Sequence, residues 1–195
     1  MSAIAKTVNW IAPEDYLEGE RRSEIRHEYI DGVVYAMAGA SDDHNRIAVN
    51  ILGELRERLR GKRCEPFMVD MKVKVPPAAA NVYYYPDVLV ACDPTDNARY
   101  FRERPTVIFE VISPETEGTD RREKLLAYRQ ISTLAAYVVA EQDRIALTVF
   151  RRAERGWIGE TLEGPTAILE LPEIGVELPL DRVYERTAAA KGKRA

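Results

Sequence analysis

The chain has 195 residues, of which 46% are apolar and 31% charged, a balance typical of one compact soluble domain. Lys and Arg number 28 and Asp and Glu number 32, so the net charge of −4 excludes a general attraction to nucleic acid or to an anionic membrane. A chain of this length buries roughly 70% of its unfolded surface, so its core needs no disulfide or structural metal.

The cysteines and the amino terminus indicate the cellular setting. Cys64 and Cys92 are 28 positions apart with no second pair, which favours neither a zinc site nor a disulfide framework. The amino terminus lacks the apolar stretch of a signal peptide, and the longest apolar run, residues 134–140, is too short to span a membrane. We therefore expect a reduced, cytoplasmic protein with no membrane partner.

The first predicted elements are a hairpin and a helix. Asp31 and Gly32 separate two β-prone runs, which is the strongest short-range signal for a hairpin. Apolar residues then recur every three to four positions over residues 41–60, behind the capping candidates Ser41 and Asp42. This spacing predicts an amphipathic helix with one buried face.

Three strands are predicted next. Alternation over residues 67–75 predicts a half-buried strand with Asp70, Lys72 and Lys74 on its polar face. Apolar runs at 83–91 and 106–112 predict two further strands, separated by a charged loop.

The rest of the chain predicts one helix followed by strands. Asp120 can cap a helix that continues to about residue 131. Apolar runs at 135–140 and 145–151 predict strands, and residues 157–162 predict an edge strand.

The order of these elements predicts the fold class, an α/β protein of the α+β type. A mixed β-sheet core is flanked by helices, with an N-terminal hairpin and extra C-terminal strands, instead of a regular βαβ repeat. We expect residues 1–187 to form a single domain and residues 188–195 to form a basic flexible tail.

Two carboxylates interrupt apolar strands and are candidates for a metal site. Asp87 lies within YYYPDVLVAC and Glu110 within TVIFEVISPET. A buried carboxylate is costly unless it is paired, protonated or bound to a cation. If the two strands are neighbours, both carboxylates can converge on one hard ion, and oxygen ligands with open positions suit Mg²⁺ or Mn²⁺.

Lys124 is the candidate cation for phosphodiester chemistry at this site. It lies one turn after Asp120 on the helix that follows the Glu110 strand, and Tyr128 shares its face at a spacing of four. A positive charge near the attacking water would offset the charge that develops on a phosphodiester.

The segments PDVLVA, VIFEVISPET and DRREKLLAY together resemble the Uma family of predicted restriction endonucleases, within the PD-(D/E)XK nuclease superfamily. The opening EYIDGVVYAMAGAS, followed by His44, and the closing LPEIGVELPLDRVY extend the resemblance over nearly the whole chain. The resemblance implies a restriction-endonuclease-like α/β core. It also implies Asp87 and Glu110 as metal ligands, with the main-chain carbonyl of Val111 as a third.

The chain departs from the superfamily pattern at the lysine. That pattern has a lysine two residues after the acid, where this sequence has Ile112. The resemblance implies that the lysine role moves to Lys124 on the following helix, and that Glu28 on the hairpin is an additional acid.

Each candidate also has a structural interpretation. Asp87 and Glu110 could form ion pairs with Arg99, Arg102 or another base, and Lys124 could be a solvated helix lysine. Glu28 could be an exposed hairpin carboxylate. His44, near the start of the first long helix, could cap, pack or contact substrate.

The leading functional hypothesis is a metal-dependent hydrolase that cleaves phosphodiester bonds in nucleic acid, with DNA as the favoured substrate and Mg²⁺ or Mn²⁺ as the cofactor. The alternative is a non-catalytic nucleic-acid-binding or assembly module that keeps the nuclease fold. A homodimer is also expected, because nucleases that cut both strands commonly bring two identical sites to the duplex and because the apolar runs at 134–140, 145–150 and 168–171 offer a contact surface. The alternative is that these extra strands widen one sheet.

Overall fold

A computed structural model describes residues 10–37, 39–68, 70–76, 81–112 and 120–192. The helices are α1 (Pro13–Glu20), α2 (Asp42–Leu59), α3 (Asp120–Tyr128) and α4 (Leu180–Val183). None of the helices in these ranges is long and apolar enough to cross a membrane.

The strands form three sheets. The six-stranded sheet has the order β11 (Gly156–Glu163), β10 (Ala146–Ala153), β9 (Ala136–Glu141), β8 (Pro105–Ile112), β6 (Val88–Ala91) and β3 (Glu65–Met68). The five-stranded sheet has the order β2 (Val33–Ala36), β1 (His27–Ile30), β5 (Val82–Tyr84), β4 (Lys72–Val75) and β7 (Phe101–Arg102). Strands β12 (Ile168–Leu171) and β13 (Val176–Pro179) form a separate antiparallel pair.

Both larger sheets are mixed, which confirms the predicted α+β class. In the six-stranded sheet β8 and β9 are parallel, and the other neighbours are antiparallel. In the five-stranded sheet β4 and β7 are parallel. The crossover from β8 to its parallel neighbour β9 contains α3, as expected for parallel strands that need a long connection.

The six-stranded sheet separates two hydrophobic cores because its residues alternate between faces. Val107, Phe109 and Val111 of β8 pack in one core with the apolar face of α2. Ile108 and Ile112 pack in the other, with α3 and the five-stranded sheet. Alternation along the strand places Glu110 on this second face.

The hairpin and the first long helix confirm their sequence predictions. Asp31 and Gly32 have φ values of 47° and 88°, the left-handed conformation that the tight turn between β1 and β2 requires. The Ser41 side chain accepts a hydrogen bond from the main-chain N–H of His44 and caps α2. Helix α3 begins at Asp120, but its predicted side-chain cap lies outside the described residues.

The predicted strands at 67–75 and 83–91 are each wrong as single strands. Each divides between the two larger sheets: the first into β3 and β4, the second into β5 and β6. Met68 pairs with Val88 and Val73 with Tyr84, so the two segments form one antiparallel ribbon that bends from sheet to sheet. The predicted polar face is wrong for Lys72, which is only 5% exposed, whereas Asp70 is exposed as predicted.

The prediction about the cysteines is wrong as well, because Cys64 and Cys92 form a disulfide. In the antiparallel pair of β3 and β6, Glu65 lies opposite Ala91. The two cysteines occupy the next positions along this ladder and are therefore brought together. Pairing between strands that are distant in sequence supplied a contact that the cysteine spacing did not indicate.

The carboxyl-terminal residues continue to contact the body of the protein beyond residue 187. The main-chain N–H of Ala188 donates to both carboxylate oxygens of Asp43 on α2, at 3.2 Å each, and Ala189 packs against the first core. Residues 193–195 of the predicted tail lie outside the described part, and the domain boundary stays a prediction.

Candidate active site

Asp87 and Glu110 lie side by side. Asp87 directly precedes β6, and Glu110 lies on the neighbouring strand β8. The register pairs Val88 of β6 with Phe109 of β8, so the residues next to them, Asp87 and Glu110, come together at the end of the ladder. The main-chain N–H of Val111 donates to Asp87 Oδ2 at 2.7 Å. The two carboxylates are 8% and 6% exposed. The sequence analysis expected both carboxylates to converge on one ion if their strands were neighbours. In the structure β6 and β8 are neighbours.

Lys124 lies between two of the predicted acids. Its Nζ is 2.9 Å from Glu28 Oε1 on β1, and 3.3 and 3.5 Å from the two carboxylate oxygens of Glu110 on β8. Helix α3 follows β8 in the chain and returns across its end, which brings the lysine to the glutamate. We call Glu28, Asp87 and Glu110, with Lys124, the acidic cluster.

Two tyrosines support Lys124 and Glu110. The Tyr128 hydroxyl donates to Glu110 Oε1 at 2.8 Å, and the ring of Tyr84 lies 5.5 Å from Lys124 Nζ. Tyr128 is fully buried, and burial, with the charge of Glu110, raises the pKa of its phenol, so the hydroxyl keeps its proton and donates. Tyr128 could be associated with Lys124 from the spacing of four, whereas no sequence signal placed Tyr84 here.

The charges in the acidic cluster are not balanced. Burial raises the pKa of Glu110, and the neighbouring carboxylates of Asp87 and Glu28 raise it further, against the opposing effects of Lys124 and the Tyr128 hydroxyl. Burial by itself would lower the pKa of Lys124, but Glu110 and Glu28 raise it overall. The lysine is therefore a permanent cation between Glu28 and Glu110.

Glu28 shows the imbalance at one atom. Its Oε1 is buried, and the Lys124 ammonium lies 2.9 Å from it as an ion pair. The same ammonium also faces Glu110, so Glu28 and Glu110 share one cation.

His44 approaches Asp87 from the opposite side of the sheet. It lies in the first turn of α2, and its Nε2 is 3.4 Å from Asp87 Oδ2. Burial lowers the pKa of His44, but a hydrogen bond to Asp87, the charges of Asp87 and Glu110, and a hydrogen bond to the Val111 main chain raise it overall. The sequence left open whether this histidine caps, packs or contacts substrate.

Within the described ranges, the bases beside Asp87 and Glu110 are His44 and Lys124. The arginines considered as structural partners have other described contacts: Arg99 stacks on Tyr100, and Arg102 lies over the Phe67 ring and donates to the carbonyl of Phe101. Lys124 is buried and paired, so its interpretation as a solvated helix lysine is not supported.

The donors of the acidic cluster are suited to a hard divalent cation. Carboxylate oxygens and a main-chain carbonyl are the ligand types that Mg²⁺ and Mn²⁺ prefer. Across the described residues there is no cluster of three or more His, Cys, Asp and Glu side chains arranged to hold a metal. A site made from Asp87, Glu110 and the Val111 carbonyl needs only two such side chains, and the surplus of carboxylates favours an added cation.

A solved structure shares the fold of this chain. A protein from Anabaena variabilis ATCC 29413, described as a putative nuclease belonging to DUF820, matches this chain with a TM-score of 0.71 at 15% identity. The match covers 89% of this chain and 97% of that chain. The chain thus has a nuclease-type α+β fold, as predicted.

Sequence comparisons identify the family of this chain. Residues 13–181 match the model of the Uma2 family, described as "putative restriction endonuclease". Two uncharacterized proteins of Synechocystis sp., slr1290 and sll1609, are 32% and 29% identical to this chain. The matches cover 91% and 86% of this chain, and 93% and 96% of the relatives. The chain belongs to the Uma2 family, which confirms the resemblance noted in its sequence.

Proposed function

We propose that this chain is a metal-dependent nuclease that cleaves phosphodiester bonds in DNA. The observation that carries the proposal is the acidic cluster: β1, β8, α3 and the residue before β6 each contribute one charged side chain to it. Crowding three carboxyl groups, two of them buried, near one lysine weakens the folded protein unless the arrangement serves another purpose. Membership of the Uma2 family supports the same function.

Asp87, Glu110 and the main-chain carbonyl of Val111 would hold the cofactor, Mg²⁺ or Mn²⁺. When bound there, the ion would polarise a phosphoryl oxygen and help to activate water. The hydrogen bond from the Val111 N–H to Asp87 and the one from Tyr128 to Glu110 fix the two carboxylates before an ion arrives. Fixed ligands need little reorganisation during the reaction.

Lys124 would act as a charge and a hydrogen-bond donor. Because its pKa is raised, its ammonium group keeps its proton at neutral pH and cannot remove one from water. It can donate to the attacking water and offset the negative charge that develops on the phosphate. Glu28 would hold the ammonium in place through the 2.9 Å ion pair.

Cleavage of a labelled DNA mixture tests this proposal. We expect the purified chain to cut DNA with Mn²⁺ or Mg²⁺ and not with a chelator, and Glu110→Gln to be inactive. Glu103→Gln is the matched control, because it removes an exposed carboxylate that pairs with Lys74 on the protein surface. Equal activity of the parent and Glu110→Gln would contradict the proposal.

A non-catalytic nucleic-acid-binding or assembly module is the second candidate. It is favoured by one observation: Lys124 is already held between two carboxylates, so the acidic cluster is partly neutralised without a metal. A thermal-shift titration separates the candidates. A competent metal site raises the melting temperature with Mn²⁺ or Mg²⁺ through binding linkage, and a silent site does not.

A homodimer is the expected assembly for a nuclease that cuts both strands. The apolar segments that suggested a dimer are mostly internal, since β9 and β10 lie within the sheet and Leu169 and Leu171 are buried. The outer side of β11 is one free strand edge, and Ile158 on it is 66% exposed. Light scattering that gives 22.1 kDa at every concentration would contradict the dimer.

A further inference from the structure

His44 is the titratable side chain beside the acidic cluster that the proposed reaction leaves without a role. Helix α2 belongs to the core on one face of the six-stranded sheet, whereas Lys124 and Tyr128 reach Glu110 from the other face. His44 nevertheless comes within 3.4 Å of Asp87. The predicted metal ligands are therefore contacted from both sides of the sheet.

The main chain of α2 fixes the position of His44. The Ser41 hydroxyl accepts a hydrogen bond from the His44 N–H at 3.1 Å, so the histidine is held in the capped first turn. Ser41 in turn donates to Gln142, just after β9, at 2.9 Å. The His44 side chain is 20% exposed and thus has little freedom to leave Asp87.

The described contacts of Asp87 both involve the same oxygen. Oδ2 accepts from the Val111 N–H at 2.7 Å and lies 3.4 Å from His44 Nε2. Donors on one oxygen set the plane and rotation of a carboxylate, and they direct a cation to the other oxygen. Side chains that orient ligands in this way commonly determine metal affinity without touching the metal.

We propose that His44 is a positioning residue, which donates to Asp87 Oδ2 and so orients the carboxylate to bind the divalent ion. This inference rests on the proposed metal-dependent function. It adds α2 to the site and gives a role to a residue that sequence reasoning left unassigned. His44 would not ligate the ion itself, because its nitrogen approaches a ligand oxygen that already serves as a hydrogen-bond acceptor.

Calorimetric titration of the full chain with Mn²⁺ tests the proposal. His44→Leu removes the donor and should weaken Mn²⁺ binding by about 10- to 100-fold, whereas His44→Gln retains an N–H donor and should stay within about 3-fold of the parent. Asn45→Leu is the matched control, because Asn45 is an exposed residue of the same helical turn. Thermal unfolding of each variant verifies that the chain is folded.

Electron spin echo spectroscopy of bound Mn²⁺ provides a second measurement. We expect no nitrogen coupling from an imidazole in the parent, since His44 is placed outside the ligand set. Coupling that disappears in His44→Leu would show direct ligation and overturn the positioning role. Equal Mn²⁺ affinity of His44→Leu and the parent would also overturn it, as would equal weakness of the Leu and Gln variants. Failure of the parent to bind Mn²⁺ would overturn the metal-dependent function together with this inference.

Discussion

Two groups of largely buried charged residues in this protein differ in how their charges are paired. The first is the acidic cluster. The second, which we call the Glu20 network, consists of Glu20, His27, Lys72 and Tyr85. Glu20, Lys72 and Tyr85 are 6%, 5% and 2% exposed, about as buried as the carboxylates of the acidic cluster.

Every charged group of the Glu20 network has a matching partner. Glu20 Oε1 accepts from the His27 N–H and from the Tyr85 hydroxyl, each at 2.9 Å, and Oε2 lies 3.0 Å from His27 Nδ1. Lys72 donates to the Tyr85 hydroxyl at 3.0 Å. One carboxylate and one ammonium are thus linked through a phenol that donates to one and accepts from the other.

The acidic cluster instead has three carboxyl groups near one lysine, with His44 beside Asp87, and the neighbouring carboxylates raise the pKa of Glu110. Buried like charges destabilise a folded protein, whereas a fully paired network gives rigidity. The difference supports the proposal that the acidic cluster binds an ion, whereas the Glu20 network stabilises the fold. The crowding of carboxylates, more than burial, separates the two groups.

The largest expected effect is loss of ion binding in the acidic cluster. Asp87→Ala and Glu110→Gln should each abolish Mn²⁺ binding in calorimetric titrations, because each removes one of two side-chain ligands. Both variants should stay folded, since replacing a carboxylate in a crowded acidic site relieves repulsion. Unchanged affinity in either variant would remove that residue from the ligand set, and unfolding would favour a structural role.

The next effect distinguishes the role of Lys124 in cleavage from metal binding. Lys124→Ala should leave Mn²⁺ binding largely intact but reduce DNA cleavage by about 10² or more, as expected for loss of one preorganised charge. The measurement is the initial rate of cleavage at saturating Mn²⁺. Lys74→Ala, which removes a lysine from a surface ion pair with Glu103, is the control. A Lys124→Ala variant as active as the parent would place the lysine role elsewhere.

The Glu20 network should respond in stability and not in metal binding. Glu20→Gln replaces a charged acceptor of several buried hydrogen bonds and should lower the free energy of unfolding by about 2 kcal/mol. Urea denaturation measures this loss, with the exposed Glu103→Gln as control, expected within about 0.5 kcal/mol of the parent. A Glu20→Gln variant that is as stable as the parent, or that loses Mn²⁺ binding, would contradict the distinction between the Glu20 network and the acidic cluster.

The smallest effect at any one pH step is expected for the pH dependence of stability in the presence of a chelator. The pKa of Glu110 is raised in the folded protein, so the folded state holds this proton more tightly than the unfolded state. The stability contributed by Glu110 is full below the ordinary glutamate pKa and is lost as the pH rises through the raised value. The slope is on the order of 1 kcal/mol per pH unit. Glu110→Gln should lack this slope, and equal slopes in both proteins would contradict the assignment.

The sequence by itself determined the local elements and three of the charged positions of the candidate site. The Asp31-Gly32 turn and the Ser41 cap depend on nearby residues, so short-range rules were sufficient for them. Asp87 and Glu110 were identified because a charge within an apolar run needs compensation wherever the strand lies. Lys124 was named from its place on the helix after the Glu110 strand and Glu28 through the family resemblance, and the contacts of Lys124 with Glu28 and Glu110 required the structure.

Tertiary structure decided the features that depend on partners distant in sequence. The pairs β3–β6 and β4–β5 lie in two different sheets, bury Lys72 against Tyr85 and bring Cys64 to Cys92. His44 reaches Asp87 only because α2 packs against the sheet that contains β6. Alternation and spacing report which side chains share a face of one element, but they contain no information on which element covers that face. The partners of buried charges in this protein were therefore fixed by packing.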